Sequence, residues 1–114
     1  MIDWQQVITL RDEVGADDFD EVIALFLQEV EEVTTRLSAG TPSYGLEQDL
    51  HFLKGSAMSL GFTAFCQACD VGERLAAGGQ SDQVALPDIL ACYRSSKSQF
   101  LGHLPKAIAN QTSL

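Results

Sequence analysis

Phe19, Val22, Ile23, Phe26, Leu27, Val30, Val33 and Leu37 return at steps of one, three and four residues, and this run does most to limit what the chain can fold into. Such spacing lays one apolar stripe along an α-helix, whereas a half-buried strand would need alternation by two. Trp4, Val7, Ile8 and Leu10 give the same apolar side to a helix over residues 4 to 14, with Asp3 as its N-cap and Gly15 as its stop. Asp17 or Asp18 is expected to cap the long second helix. Asp20 and Glu21 suit the positive end of its dipole, and Gly40 ends it. A third helix, opened by Thr41-Pro42-Ser43 and running over about 43 to 60, buries Leu46, Leu50, Leu53, Ala57 and Leu60. Gly61 breaks it. A fourth runs from about Phe62 to Ala77, closed by Gly78-Gly79. Pro87 fits the first turn of a fifth, which carries Ile89, Leu90, Tyr93, Phe100, Leu101 and Leu104.

No segment alternates, so no sheet is expected. Short loops between amphipathic helices favour antiparallel neighbours. The expected fold is therefore all-α: the last four helices form an up-down-up-down antiparallel four-helix bundle, with the short N-terminal helix packed across one end. The 114 residues make one domain, 1–114, large enough to bury a core without disulfides or metal and without room for a second catalytic unit. Repeats, low-complexity tracts and linkers are lacking.

The bulk charge removes several function classes. A net charge of −9 repels phosphate backbones and anionic lipids, so neither nucleic acid nor membrane is expected as a partner. The apolar run Val22–Leu27 is too short to span a bilayer. No secretory leader opens the chain, which points to the cytoplasm, and Met1 with the helical start points to a free-standing protein. Cys66, Cys69 and Cys92 are an odd set for a disulfide framework. Cys66 and Cys69 form C-x-x-C without the strand that a thioredoxin-like motif needs, and Cys92 with His103 lacks the paired spacing of a zinc site. The cysteines read as small core residues, and neither metal nor cofactor is expected.

The chemistry lies in His51-Phe52-Leu53-Lys54-Gly55-Ser56-Ala57-Met58-Ser59-Leu60-Gly61. His51 sits about 100° round the helix from Leu50, at the edge of the buried stripe. Lys54 and Gly55, three and four residues on, flank it, and Met58 extends the same face. Side chains lean toward the helix N-terminus, so a residue at 55 projects over the ring at 51 and glycine leaves that ring open. The glycine costs about 1 kcal/mol relative to alanine, which points to a reason other than helix stability. A neutral imidazole is a nucleophile near pH 7, and Lys54 is a cation within reach of a phosphoryl group on it. The phosphoramidate so formed is labile enough to be passed on. Taken alone, His51 reads as a surface histidine and Lys54 as a solvated charge; together they read as a phosphoryl carrier.

Other residues stay open between two readings. Glu47, one turn before His51, is placed either to accept from the second ring nitrogen or to sit solvated. Met58 and Phe62, with Trp4 and Ile8, form either a docking rim together with Glu47 or plain core. Ser56 and Ala57 read as small packing residues, and His103 as a surface or helix-end histidine. The acids at 17, 18, 20 and 21 read as capping and solvation rather than a metal cluster.

This run resembles the signature of the histidine-containing phosphotransfer (HPt) domain, roughly H-x-L-K-G-[SA]-[SA]-x-x-[LIV]-G. His51, Leu53, Lys54, Gly55, Ser56, Ala57, Leu60 and Gly61 all match. The resemblance covers about residues 2 to 105, and Phe65, Cys69 and Glu73 echo an apolar, a small and an acidic family position. Two positions depart: Leu50 stands where many members carry alanine, expected to crowd the core side, and Gly72 replaces the leucine usual before the acid, expected to loosen the fourth helix. The resemblance implies a phosphocarrier with His51 phosphorylated, Lys54 stabilising the phosphoryl group and Gly55 giving access. Its implied partners are receiver domains of response regulators or hybrid kinases, and a monomer is expected.

A complete histidine kinase is excluded because the chain has no ATP-binding motif. A kinase dimerisation helix would follow its histidine with an acid and a nearby proline, where Phe52 and Lys54-Gly55 stand here. The alternative function is a phosphorylation-independent helical adaptor, whose mark would be loss of His51, Lys54 or Gly55. A hydrolase or transferase finds no second nucleophile or acid–base dyad.

Overall fold

The computed structural model describes residues 2–40 and 45–112, with side chains through Ile108. Its order is α1 (Trp4–Val14), α2 (Ala16–Ser38), α3 (Leu46–Leu60), α4 (Thr63–Ala77), a 3₁₀ turn (Ser81–Gln83) and α5 (Leu86–Thr112). The expected class holds: α2 to α5 make the antiparallel bundle, and α1 packs on α2, α3 and α5. No strand forms among the described residues, where the extended pairing is a lone bridge between Ile2 and Phe62.

Several boundaries differ from expectation. The backbone at Gly15, with φ 91°, is the N-cap of α2, so Asp17 and Asp18 fall inside the first turn, where their charge meets the helix dipole. The α3 helix begins at Leu46 after a left-handed Gly45, and the Thr41-Pro42-Ser43 opening lies outside the described residues. Pro87 does sit in the first turn of α5, while Leu101 faces solvent at 47% exposure instead of packing.

The interior is built from α3 leucines and an aromatic cluster. Leu50, Leu53, Phe62, Phe65 and Phe100 are fully buried, and each such side chain contributes about 1.5–3 kcal/mol by leaving water. Phe62 packs edge-on to Phe100 with centroids 5.3 Å apart, and Trp4 of α1 stacks on Phe100 at 5.8 Å.

Two close approaches fix α3 against α4. Gly61, the C-cap of α3, has φ 75°, and the Asp3 N–H donates to its carbonyl at 2.7 Å. A β-carbon there would lie 2.6 Å from the Asp3 carbonyl oxygen, so glycine is required both by the turn and by the chain crossing it. Lower down, a β-carbon on Gly72 would lie 3.0 Å from Leu50 Cδ1, 3.0 Å from Ile89 Cδ1 and 3.3 Å from Val84 Cγ1. Leu50 thus occupies the space that a side chain at 72 would need. The α4 helix runs unbroken through Gly72, and the fully buried Leu50 packs into the space that glycine leaves open. At the start of α3, the Arg36 guanidinium donates to both Asp49 oxygens at 2.8 Å, joining it to the end of α2.

Candidate functional site

Leu50 and Leu53 point into the bundle, which turns His51 outward on α3 with its side chain 72% exposed. The α4 helix runs alongside and offers Asp70, Glu73 and Arg74 to the same surface. The imidazole Nδ1 lies 2.9 Å from Glu73 Oε2. A carboxylate only accepts, so Nδ1 carries a proton, and in the neutral ring the lone pair is on Nε2.

The other Glu73 oxygen, Oε1, is shut off from solvent, with the Lys54 ammonium 2.7 Å away in an ion pair that lacks aligned hydrogen-bond geometry. Lys54 Nζ also donates to Asp70 Oδ1 at 3.4 Å, and Asp70 Oδ2 is ion-paired with Arg74 Nη2 at 2.8 Å. Cations and carboxylates therefore alternate from Arg74 through Asp70, Lys54 and Glu73 to the imidazole. The neighbouring Lys54 ammonium, and then the imidazole, hold the Glu73 carboxyl below its ordinary range against the opposing effect of burial. Glu73 in turn raises the Lys54 ammonium above its ordinary value, with Asp70 adding to the rise. Lys54 is thus a half-buried, doubly paired cation rather than a free surface charge.

Gly55 leaves the ring's neighbourhood open: a β-carbon there would meet nothing within 4 Å. Alanine would therefore touch nothing, and only a longer side chain could reach across the imidazole. On the same face Met58 is 60% exposed, and Phe52, about 100° round the helix, is 39% exposed. A shallow groove of about 340 Å³, lined by Gln6, Ala57, Met58, Thr63, Cys66 and Gln67, continues toward α1.

Four residues singled out in the sequence take other places. Glu47 is exposed and is not the group bonded to Nδ1; Glu73, across the helix pair, takes that place. Phe62 is fully buried, so it belongs to the core and not to a docking rim. Ile8 is buried at 9% exposure, and half-buried Trp4 is stacked on Phe100. Glu73 lies 22 residues from His51, beyond the reach of any spacing along one helix. Its one sequence signal was the acidic position of the family resemblance.

The remaining chemistry is quiet. Cys66, Cys69 and Cys92 are free thiols; burial pushes Cys69 up to about 12 and raises Cys66 above its ordinary value. His103 Nδ1–H donates to the Gln99 carbonyl at 2.9 Å on its own helix. Among the described residues no group of three or more His, Cys, Asp or Glu side chains could hold a metal ion, and no helix is long and apolar enough to cross a membrane.

The Hpt domain family model matches residues 21–110, from early α2 to near the end of α5, and leaves α1 outside. No curated protein and no solved structure matches the chain. Hpt domains are phosphocarriers, not kinases, and exchange phosphoryl groups with receiver domains in phosphorelays. With the match spanning well over half of its length and a helical bundle carrying the outward histidine, the chain belongs to the Hpt domain family.

Proposed function

We propose that this protein is a histidine phosphotransfer protein of a multistep phosphorelay, carrying a phosphoryl group on His51 Nε2 between the aspartates of two receiver domains. The observation that carries the reading is the outward imidazole whose Nδ1 is tied to Glu73, 2.9 Å away, beside an open Gly55. In the accepting step the Nε2 lone pair forms the N–P bond as the P–O bond of the aspartyl phosphate breaks, and the aspartate leaves as carboxylate. The ring then holds both N–P and Nδ1–H and is positive, a charge that Glu73 offsets. Donation runs the same steps backwards, with imidazole as the leaving group. Glu73 is therefore the positioning residue that fixes tautomer and ring angle, and Lys54 is the cation for the phosphoryl oxygens.

The receiver is expected to cover Phe52, Met58 and the groove toward α1, where exposed apolar area surrounds the histidine. We infer that the chain 1–114 acts as one monomeric unit; its free, partly buried thiols fit a reducing compartment such as the cytoplasm. Incubation with phosphorylated receivers tests the reading: label should appear on His51 alone, in an acid-labile, base-stable linkage, and His51→Gln should abolish it with the fold kept. With ATP and magnesium alone no label should appear. An acid-stable phosphate, or transfer surviving in His51→Gln, would refute the assignment. A relay output that His51→Gln leaves intact would favour the adaptor.

A further inference from the structure

The reading above gives Lys54 to the phosphoryl group, yet in the structure the ammonium is held on α4. Its two partners differ. Asp70 meets it as a hydrogen-bond acceptor at 3.4 Å, while Glu73 Oε1 is nearer, at 2.7 Å, but out of alignment. Asp70 is itself pinned by Arg74 at 2.8 Å, one turn on along the same helix. From this chain of contacts we infer that Asp70, shared between Lys54 and Arg74, is a positioning residue that tethers the Lys54 ammonium to α4 and so limits how long a phosphoryl group stays on His51.

The reasoning is electrostatic. A phosphoryl group leaving imidazole passes through a loose transition state, in which charge moves from the phosphoryl oxygens toward the leaving nitrogen. A cation on those oxygens stabilises the bound group more than the departing one. An ammonium free to settle on the phosphoryl oxygens therefore prolongs the phosphohistidine. An ammonium shared with Asp70 does so less often, because reaching the phosphoryl group means giving up the tether. The tether leaves the carrier discharging sooner than Lys54 alone would allow, as suits a module that must pass its cargo on. Arg74, 79% exposed, draws on Asp70 from the far side and moderates the tether. The inference rests on His51 being the carrier.

The test measures the half-life of phosphohistidine after loading with phosphoramidate and removal of the donor, in wild type, Asp70→Asn, Arg74→Ala, Lys54→Ala and the double variant Lys54→Ala/Asp70→Asn. Thermal melts run alongside to show that each variant is folded. Asp70→Asn is expected to lengthen the half-life roughly twofold or more, and Arg74→Ala, which leaves Asp70 wholly to Lys54, to shorten it. In the Lys54→Ala background the Asp70 substitution is expected to do nothing, which neither a packing role nor a through-water charge effect would produce. If Asp70→Asn changes nothing, or lengthens the half-life equally without Lys54, the tether is wrong while the carrier reading stands. If wild type takes no phosphoryl group on His51, the carrier reading falls and the tether with it.

Discussion

Gly72→Leu and Leu50→Ala each restore the residue that the family resemblance makes usual, and each is expected to destabilise this protein. Leu50 is fully buried, so truncation to alanine leaves a cavity and costs about 2–5 kcal/mol. At 72 the β-carbon alone would stand 3.0 Å from Leu50 Cδ1 and from Ile89 Cδ1, and leucine adds three more carbons to a buried position. Overpacking of that kind costs about 1–3 kcal/mol even after helix propensity returns up to about 1 kcal/mol. The singles therefore sum to roughly 3–8 kcal/mol, a large part of a small domain's 5–15 kcal/mol. In the double variant the leucine at 72 fills the space that Leu50 vacates, so the pair should lose about 1–3 kcal/mol less than the sum. Urea unfolding of the four proteins at one pH measures the cycle, provided that the m-values agree. Additivity within about 0.5 kcal/mol would refute the compensation and return Leu50 and Gly72 to unrelated departures.

Lys54→Ala is expected to slow acceptance of the phosphoryl group from a receiver roughly tenfold or more, with a heat-stability loss that Asp70→Asn does not add to in full. An unchanged transfer rate would make Lys54 an ordinary ion-pair residue. Gly55→Gln should melt no lower than wild type and pass phosphate far more slowly to a receiver, while His51 still accepts from phosphoramidate; lost stability with transfer intact would contradict the open-face role. The lowered folded-state value at Glu73 means that its stabilisation is present above the ordinary carboxyl value of 4.5 and lost as pH falls through the folded value. Glu73→Gln should therefore flatten the fall in stability below about pH 4.5 in denaturant titrations, and an unchanged acid limb would remove Glu73 from that account.

The period of the apolar residues was enough to reach the bundle, because each helix must bury one stripe and the turns are short. Leu46, Leu50, Leu53, Ala57 and Leu60 are all buried as their spacing requires, which turns His51 outward as the same geometry demands. Neighbours along one helix were legible for the same reason. Contacts between helices were not: Glu73 meets His51 and Gly72 meets Leu50 across the α3–α4 seam, whose register no local rule supplies. Glu47 was the nearer carboxylate in the chain and the wrong one in space. Phe62 stood next to a turn and so stayed open between rim and core, while the bridge with Ile2 and the rings of Tyr93 and Phe100 enclose it.

The chain crossing at Gly61 bears on where this domain can be cut. A protein trimmed to residues 21–110 would keep His51, Lys54 and Glu73, yet lose the Asp3 amide that closes the α3–α4 turn. It would also lose Val7, Ile8, Leu10 and Phe19, all buried, at about 1.5–3 kcal/mol each. The total, roughly 6–12 kcal/mol, rivals the whole stability of a small domain. The trimmed chain is expected to be largely unfolded, so the stretch that identifies the family is shorter than the stretch that folds.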